Sequence, residues 1–237
     1  MEQDTPLAPS RTSWLRQLSP AIPVVMGYLP VGFAYGVLAA NAGLSVFMAV
    51  LMSLMVYAGS SQLMAVSMIG QGIHPLSIIL TTLVVNLRHM LMSASLAPHL
   101  RKWRRLQVIA FCFELTDETF AVHSLRFEQE GAAAVPALAV NAISQVAWVT
   151  GSLAGAATGS LIQDVRPFAL DYALPAMFIA LLIFQLKKRL HIWIAVLSAG
   201  LSLGLWSLGL RQWNIILAAV IGALVGAGVE TWQKRSS

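Results

Sequence analysis

The chain has 237 residues, of which 57% are hydrophobic and only 11% charged, with a mean hydropathy of +0.73. A soluble domain carries about 25% charged residues, so this chain lacks the polar surface of one and reads as an all-α, polytopic integral membrane protein. Its net charge of +5 fits basic helix ends at the cytoplasmic side better than a nucleic-acid surface, and the single Cys112 excludes an intrachain disulfide.

Residues 1–18 form a polar tail without the compact basic–apolar–cleavage pattern of a signal peptide. Eight apolar segments follow, over 19–40, 44–70, 75–98, 106–123, 132–160, 168–186, 190–209 and 213–232. Residues 233–237 are a short tail, so the expected organisation is one transmembrane domain over 19–232. No short alternating strands suggest a barrel. Tryptophans 14, 103, 193, 213 and 232 lie near segment ends, where interfacial anchors belong.

Segment one contains GYLPVGFAYG, with Gly27, Pro30, Gly32 and Gly36 inside ten residues. Proline removes a backbone donor and glycine permits close approach, so a broken helix is expected here, with a plain proline kink as the alternative. DYALPAMFIALL opens segment six, where Tyr172 and Pro175 echo Tyr28 and Pro30. Discontinuous helices at matching places in two halves are a transporter feature. Glycines four apart mark close-packing faces: Gly32 with Gly36, Gly151 with Gly155 and Gly159, Gly200 with Gly204, and Gly222 with Gly226.

Charge counting makes segment four a topological problem. With Lys234 and Arg235 cytoplasmic, a simple crossing by segment four puts RKWRR, residues 101–105, outside. That violates the positive-inside rule. A broken or re-entrant segment keeps RKWRR inside, beside RFEQEG at 126–131; the alternative is an ordinary crossing with an imperfect charge bias. About seven crossings are then expected, within a range of six to eight.

Polar groups at depth mark the candidate site. In YAGSSQLMAV, Gly59, Ser60, Ser61 and Gln62 offer hydrogen-bonding groups that bind a zwitterionic solute or tie helices together. In VNLRHML, Asn86, Arg88 and His89 interrupt an apolar run. Arg88 has the planar fork for a carboxylate, and equally for an internal acid. His89 suits proton handling or a plain hydrogen bond. FELTDETFAV supplies Glu114, Asp117 and Glu118. Three readings stand for these acids: counterion to Arg88, proton site, or the first turn of a half-helix capped by Thr116. Asn141 and Gln145, four apart, are placed to reach them. No metal-ligand spacing, Walker loop or dinucleotide fingerprint is present, so no metal, cofactor or nucleotide-binding subunit is expected.

In order along the chain, GYLPVGFAYG, YAGSSQLMAV, NLRHMLMSASLAP, LTDETFAV and DYALPAMFIALLI resemble the AzlC/YgaZ family, the large subunit of branched-chain amino acid exporters. The resemblance implies a secondary exporter of branched-chain or similar small apolar amino acids in the bacterial cytoplasmic membrane. It also implies a small hydrophobic AzlD/YgaH-type membrane partner and proton-driven alternating access, with no enzymatic activity. Substrate would rest near breaks at Tyr28–Pro30 and Gly59–Gln62, with Asn86 and Arg88. The acids and His89 would handle protons or pair ions. Met92 and Ser93 depart from the aromatic–glycine pair common in relatives, which bears on substrate size. Rival classes are a membrane scaffold, which the glycine faces fit equally, a channel and, last, an intramembrane hydrolase using Ser60 or Ser61.

Overall fold

The computed structural model describes residues 16–162, 189–209 and 214–235, with isolated positions between 172 and 186. Segment six, including Pro175 and the Tyr172–Pro175 echo, lies outside the described elements, as do residues 1–15 of the polar tail. The chain divides into two compact units, Met1–Phe178 and Ile179–Ser237.

In the first unit the helices are α1 (Ala21–Asn41), α2 (Val46–Met55), α3 (Gly59–Gly70) and α4 (Pro75–Leu96) with a 3-10 turn at Ala97–Leu100. Then come α5 (Arg105–Phe113), α6 (Asp117–Glu130) and α7 (Ala134–Thr158), followed by a second 3-10 turn at Gly159–Leu161. The second unit contains α8 (Arg189–Ser207) and α9 (Asn214–Arg235), packed together where Gly222 meets Ser198 and Gly226 meets Ile194. Gly200 and Gly204 have open space where a methyl would sit, so this pair is not a packing face within the described residues.

Four helices among the described residues are long and apolar enough to cross a membrane: α1, α4 with its 3-10 extension, α7 and α8. Segments two and four are each split. At 1.5 Å per residue, the 10 residues of α2 and the 12 of α3 reach only about 15–18 Å, against a hydrocarbon core of about 30 Å. The 9 residues of α5 and 14 of α6 reach only about 14–21 Å.

Both split segments fold back on themselves. The position a methyl would take on Gly70, at the end of α3, lies 3.6 Å from Ala42 Cβ, just before α2. The α2–α3 hairpin therefore leaves from and returns to one face. The Trp103 indole N–H donates to Ala132 O at 3.0 Å, joining the start of α5 to the end of α6. That closes the second hairpin on the opposite face, which also holds Gln17, whose carbonyl accepts from Arg126 at 2.9 Å. Its core is aromatic, with Trp103, Phe111 and Phe127 in mutual ring contact.

Segment four is thus re-entrant, and RKWRR and RFEQEG share a face. Segment two, expected to cross, does not, and segment six lies outside the described elements, so the described residues carry four such helices where seven crossings are expected. Segment one is also corrected: α1 runs unbroken from Ala21 to Asn41 with Pro30 inside it. Pro30 is exposed on its outer side, and nothing lies within 4 Å of a methyl at Gly27, one turn back. Pro30 removes one backbone donor and crowds the Met26 carbonyl of its own helix, which a helix accommodates by bending without ending.

Helices α1 and α7 run parallel through the centre. A methyl on Gly32 would lie 2.8 Å from Trp148 O, and one on Gly151 would lie 2.6 Å from Leu29 O. One on Gly36 would overlap Ser152 O, one on Gly155 would overlap Phe33 O, and one on Gly159 would press on Ala40 Cβ at 2.6 Å. The first four stand where backbone meets backbone, and Gly159 meets both the Ala40 methyl and the Val37 backbone.

Candidate functional site

The two hairpins enter from opposite faces and their apices meet midway. The α2–α3 apex is Val56–Tyr57–Ala58, where Tyr57 takes φ +42°, the left-handed region that bulky residues avoid. It delivers the start of α3. The first-turn amides of Gly59, Ser60 and Ser61 have no intrahelical acceptor, and the methyl of Ala58 offers them no cap. The α5–α6 apex is Glu114–Leu115–Thr116, and it delivers the start of α6. Here the end is self-capped: Thr116 N–H donates to Thr119 Oγ1 at 2.9 Å, and Thr116 Oγ1 accepts from Thr119 N–H at 3.4 Å. Two helix N-termini, each carrying partial positive charge, thus converge on one point.

Around that point lies a cavity of about 10 Å3, bordered by Tyr28, Tyr57, Gly59–Ser60, Arg88–His89, Thr116–Glu118 and Trp148. It has room for about one water. Arg88, from α4, spans both apices. Its Nη2 pairs with Asp117 Oδ2 at 2.9 Å and also donates to Ser60 Oγ. Its Nε–H is buried and makes no hydrogen bond. Tyr28 of α1 lies 2.6 Å from both Thr116 Oγ1 and Glu118 Oε2. His89 Nδ1 lies 3.2 Å from Asn86 O. Counterion and half-helix start are therefore compatible features of the same acids: Asp117 is both. Glu114 stands at the apex itself and is half-buried.

Other candidates lie behind the cavity. Ser61 donates to Asn86 Oδ1. Gln62 is fully buried with its amide engaged at both ends: Trp148 Nε1 donates to Oε1 at 3.1 Å, and Nε2 donates to Ser53 Oγ at 3.1 Å. Ser53 continues to Ser152 Oγ at 2.8 Å, tying the hairpin to α7. Pro30 points away from the cavity on the outer side of α1. Asn141 and Gln145 do not reach the acids. Asn141 Oδ1 pairs with His123 Nε2 at 2.8 Å, and Gln145 Nε2 donates to Leu54 O at 3.3 Å near the α2–α3 apex.

Three residues escaped the sequence reading. Trp148 is 2% exposed, packs edge-on to Tyr28 and stacks on Tyr35. Its signal was a tryptophan in mid-segment, far from either interface, whose N–H needs an acceptor. A methyl on Gly59 would lie 2.9 Å from its ring, so that glycine makes room for it. Tyr57 is equally buried, and its hydroxyl has no partner. His123 carried no signal beyond being polar inside an apolar stretch.

An all-helical bundle with apolar crossings, two re-entrant hairpins and an ion pair at their meeting point defines a multi-pass membrane protein with a polar site at depth. The chain belongs to the AzlC family, whose model, described as AzlC protein, matches residues 23–162. That span contains both hairpins and every cavity residue. A membrane protein of Archaeoglobus fulgidus is 38% identical over 86% of this chain and 90% of its own length. Inner membrane protein YgaZ of Escherichia coli is 29% identical over 98% of both chains. Branched-chain amino acid transport protein AzlC of Bacillus subtilis is 28% identical over 86% of this chain and 80% of its own. No solved structure matches.

Proposed function

We propose that this chain exports branched-chain or similar small apolar amino acids by proton-coupled alternating access, as the large subunit beside a small hydrophobic membrane partner of the AzlD/YgaH type. The carrying observation is Arg88, held between the uncapped start of α3 and Asp117 at the start of α6. The name of the Bacillus relative supports the substrate class.

The chemistry follows from charge matching. An amino acid brings one carboxylate and one ammonium. The carboxylate takes Arg88, whose Nε–H is unused, together with the free amides of Gly59 and Ser60. The ammonium takes Asp117. The internal ion pair is thereby replaced by two external ones, and no net charge is added at depth. The rings of Tyr28, Tyr57 and Trp148 supply apolar contact for the side chain. One methylene is worth only about 1–3 kcal/mol in such a pocket, so several aliphatic amino acids should compete.

A cavity of about 10 Å3 is too small for leucine, so these apices are closed on each other. Withdrawing one hairpin admits substrate from its own face, and withdrawing the other releases it opposite. The positive-inside rule makes the α5–α6 face cytoplasmic, since Arg101, Lys102, Arg104, Arg105 and Arg126 cluster there. The turns at 42–45, 71–74 and 159–162 on the other face carry no Lys, Arg, Asp or Glu. A scaffold would gain nothing from an arginine at membrane depth, which favours transport over that alternative.

The test is counterflow of labelled L-leucine in proteoliposomes. Wild type exchanges it, unlabelled valine and isoleucine compete, and Arg88→Ala loses exchange by about tenfold or more. Unaltered exchange in Arg88→Ala overturns the assignment.

A further inference from the structure

The two acids opening α6 keep different company, and the inference drawn from this rests on the transport reading above. Asp117 is ion-paired with Arg88 at 2.9 Å. Glu118 makes no ion pair among the described residues; its Oε2 faces the Tyr28 hydroxyl at 2.6 Å. That hydroxyl is 2.6 Å from Thr116 Oγ1 on its other side, and Thr116 Oγ1 is 3.1 Å from Thr119 Oγ1. A phenol has one proton, and here it stands between two oxygens at hydrogen-bonding distance. Tyr57, 2% exposed, lines the same cavity.

We infer that Glu118 is the group that binds the coupling proton, with Tyr28 and Thr116 as positioning residues. The chain of oxygens satisfies both protonation states with no movement of heavy atoms. With Glu118 ionised, the Tyr28 O–H donates to Oε2 and the Thr116 O–H donates to the Tyr28 oxygen. With Glu118 protonated, its own O–H donates to the Tyr28 oxygen, the Tyr28 O–H turns to Thr116 Oγ1, and the Thr116 O–H turns to Thr119 Oγ1. Hydroxyl rotation alone converts one pattern into the other, and the proton enters or leaves at the Glu118 carboxyl.

The titratable and charged groups around it are Tyr28, Tyr57, Arg88, His89, Glu114 and Asp117. Arg88 and Asp117 offset each other, and His89 is turned to its own helix backbone. When substrate ammonium occupies Asp117, its positive charge also favours the ionised form of neighbouring Glu118. Substrate binding thus releases the proton, which couples the two.

The experiment uses the full chain, reconstituted with the small subunit, and labelled L-leucine. Counterflow at equal pH is compared with accumulation driven by an imposed pH gradient. In wild type, each pH unit supports about tenfold accumulation per proton. Glu118→Gln, fixed in the neutral form, is expected to retain leucine counterflow at a raised half-saturating concentration while accumulating no leucine beyond equilibration. Tyr28→Phe, which keeps the ring but removes the donor, is expected to accumulate with a displaced pH profile. Gradient-driven accumulation by Glu118→Gln overturns the inference. So does an unshifted profile in Tyr28→Phe, which decides the matter if Glu118→Gln fails to fold. Drive by a sodium gradient instead of a pH gradient overturns it too. Absence of leucine counterflow in wild type sinks the transport reading itself and is distinguishable from all three.

Discussion

An arginine at membrane depth persists where it has an anion, a hydroxyl and polar space, and Arg88 has all three in Asp117, Ser60 and the cavity. Its fork is what lets one side chain serve both hairpins. Arg88→Lys, a point charge on a flexible stem, is therefore expected to lower leucine counterflow about tenfold, although the charge is kept. Equal rates would show that only charge matters. Gln62 makes a different prediction. Gln62→Leu leaves the Trp148 N–H, buried and 2% exposed, without its acceptor. A loss of about 1–3 kcal/mol is expected, read as a lower melting temperature in detergent. The residue types of the site were legible in the sequence because charges and amides are conspicuous among apolar neighbours. Their division of labour was not. Whether Gln62 faces a solute or Trp148 depends on a tryptophan 86 positions away.

Among elements, the α1–α7 contact gives the sharpest stability test. Gly36→Ala would drive a methyl into Ser152 O and the α7 backbone, where no side chain can yield. Gly27→Ala, on the same helix, meets nothing within 4 Å. The expected cost is about 1–3 kcal/mol for the first and within about 0.5 kcal/mol for the second, compared by thermal unfolding in detergent. Equal stability would refute the close approach. The four-residue spacing of these glycines was visible in the sequence, since it needs only helix geometry. The breaks were harder to place. Proline and glycine pointed to segment one, yet α1 is continuous through Pro30, in keeping with the alternative of a plain proline kink. The real break in segment two falls at Val56–Ala58, where Tyr57 is held left-handed by its surroundings and not by its residue type. Only LTDE announced a helix start locally, through Thr116 and the acids behind it.

Across the first unit, α1 with the α2–α3 hairpin and α4 with the α5–α6 hairpin repeat one plan in opposite senses. Each is a crossing followed by a hairpin that re-enters from the face the crossing has reached. Such inverted pairs place a site at mid-depth and give it two gates. In the sequence the visible echo lies instead between residues 28–30 and 172–175, because tyrosine and proline recur there. Apolar hairpins of similar length leave almost no mark that a linear reading can match. Charge did better: the location of RKWRR favoured a segment four that turns back over one that crosses. The claim that everything else depends on is that two hairpins enter from opposite faces. Single cysteines at Lys102, Glu128 and Gln71, all exposed, test it in a Cys112→Ser background with a membrane-impermeant maleimide. Lys102→Cys and Glu128→Cys should label together in inverted vesicles and resist labelling in right-side-out ones, while Gln71→Cys does the reverse. Labelling of position 71 from the face that labels 102 and 128, or of 102 and 128 from opposite faces, would contradict the account.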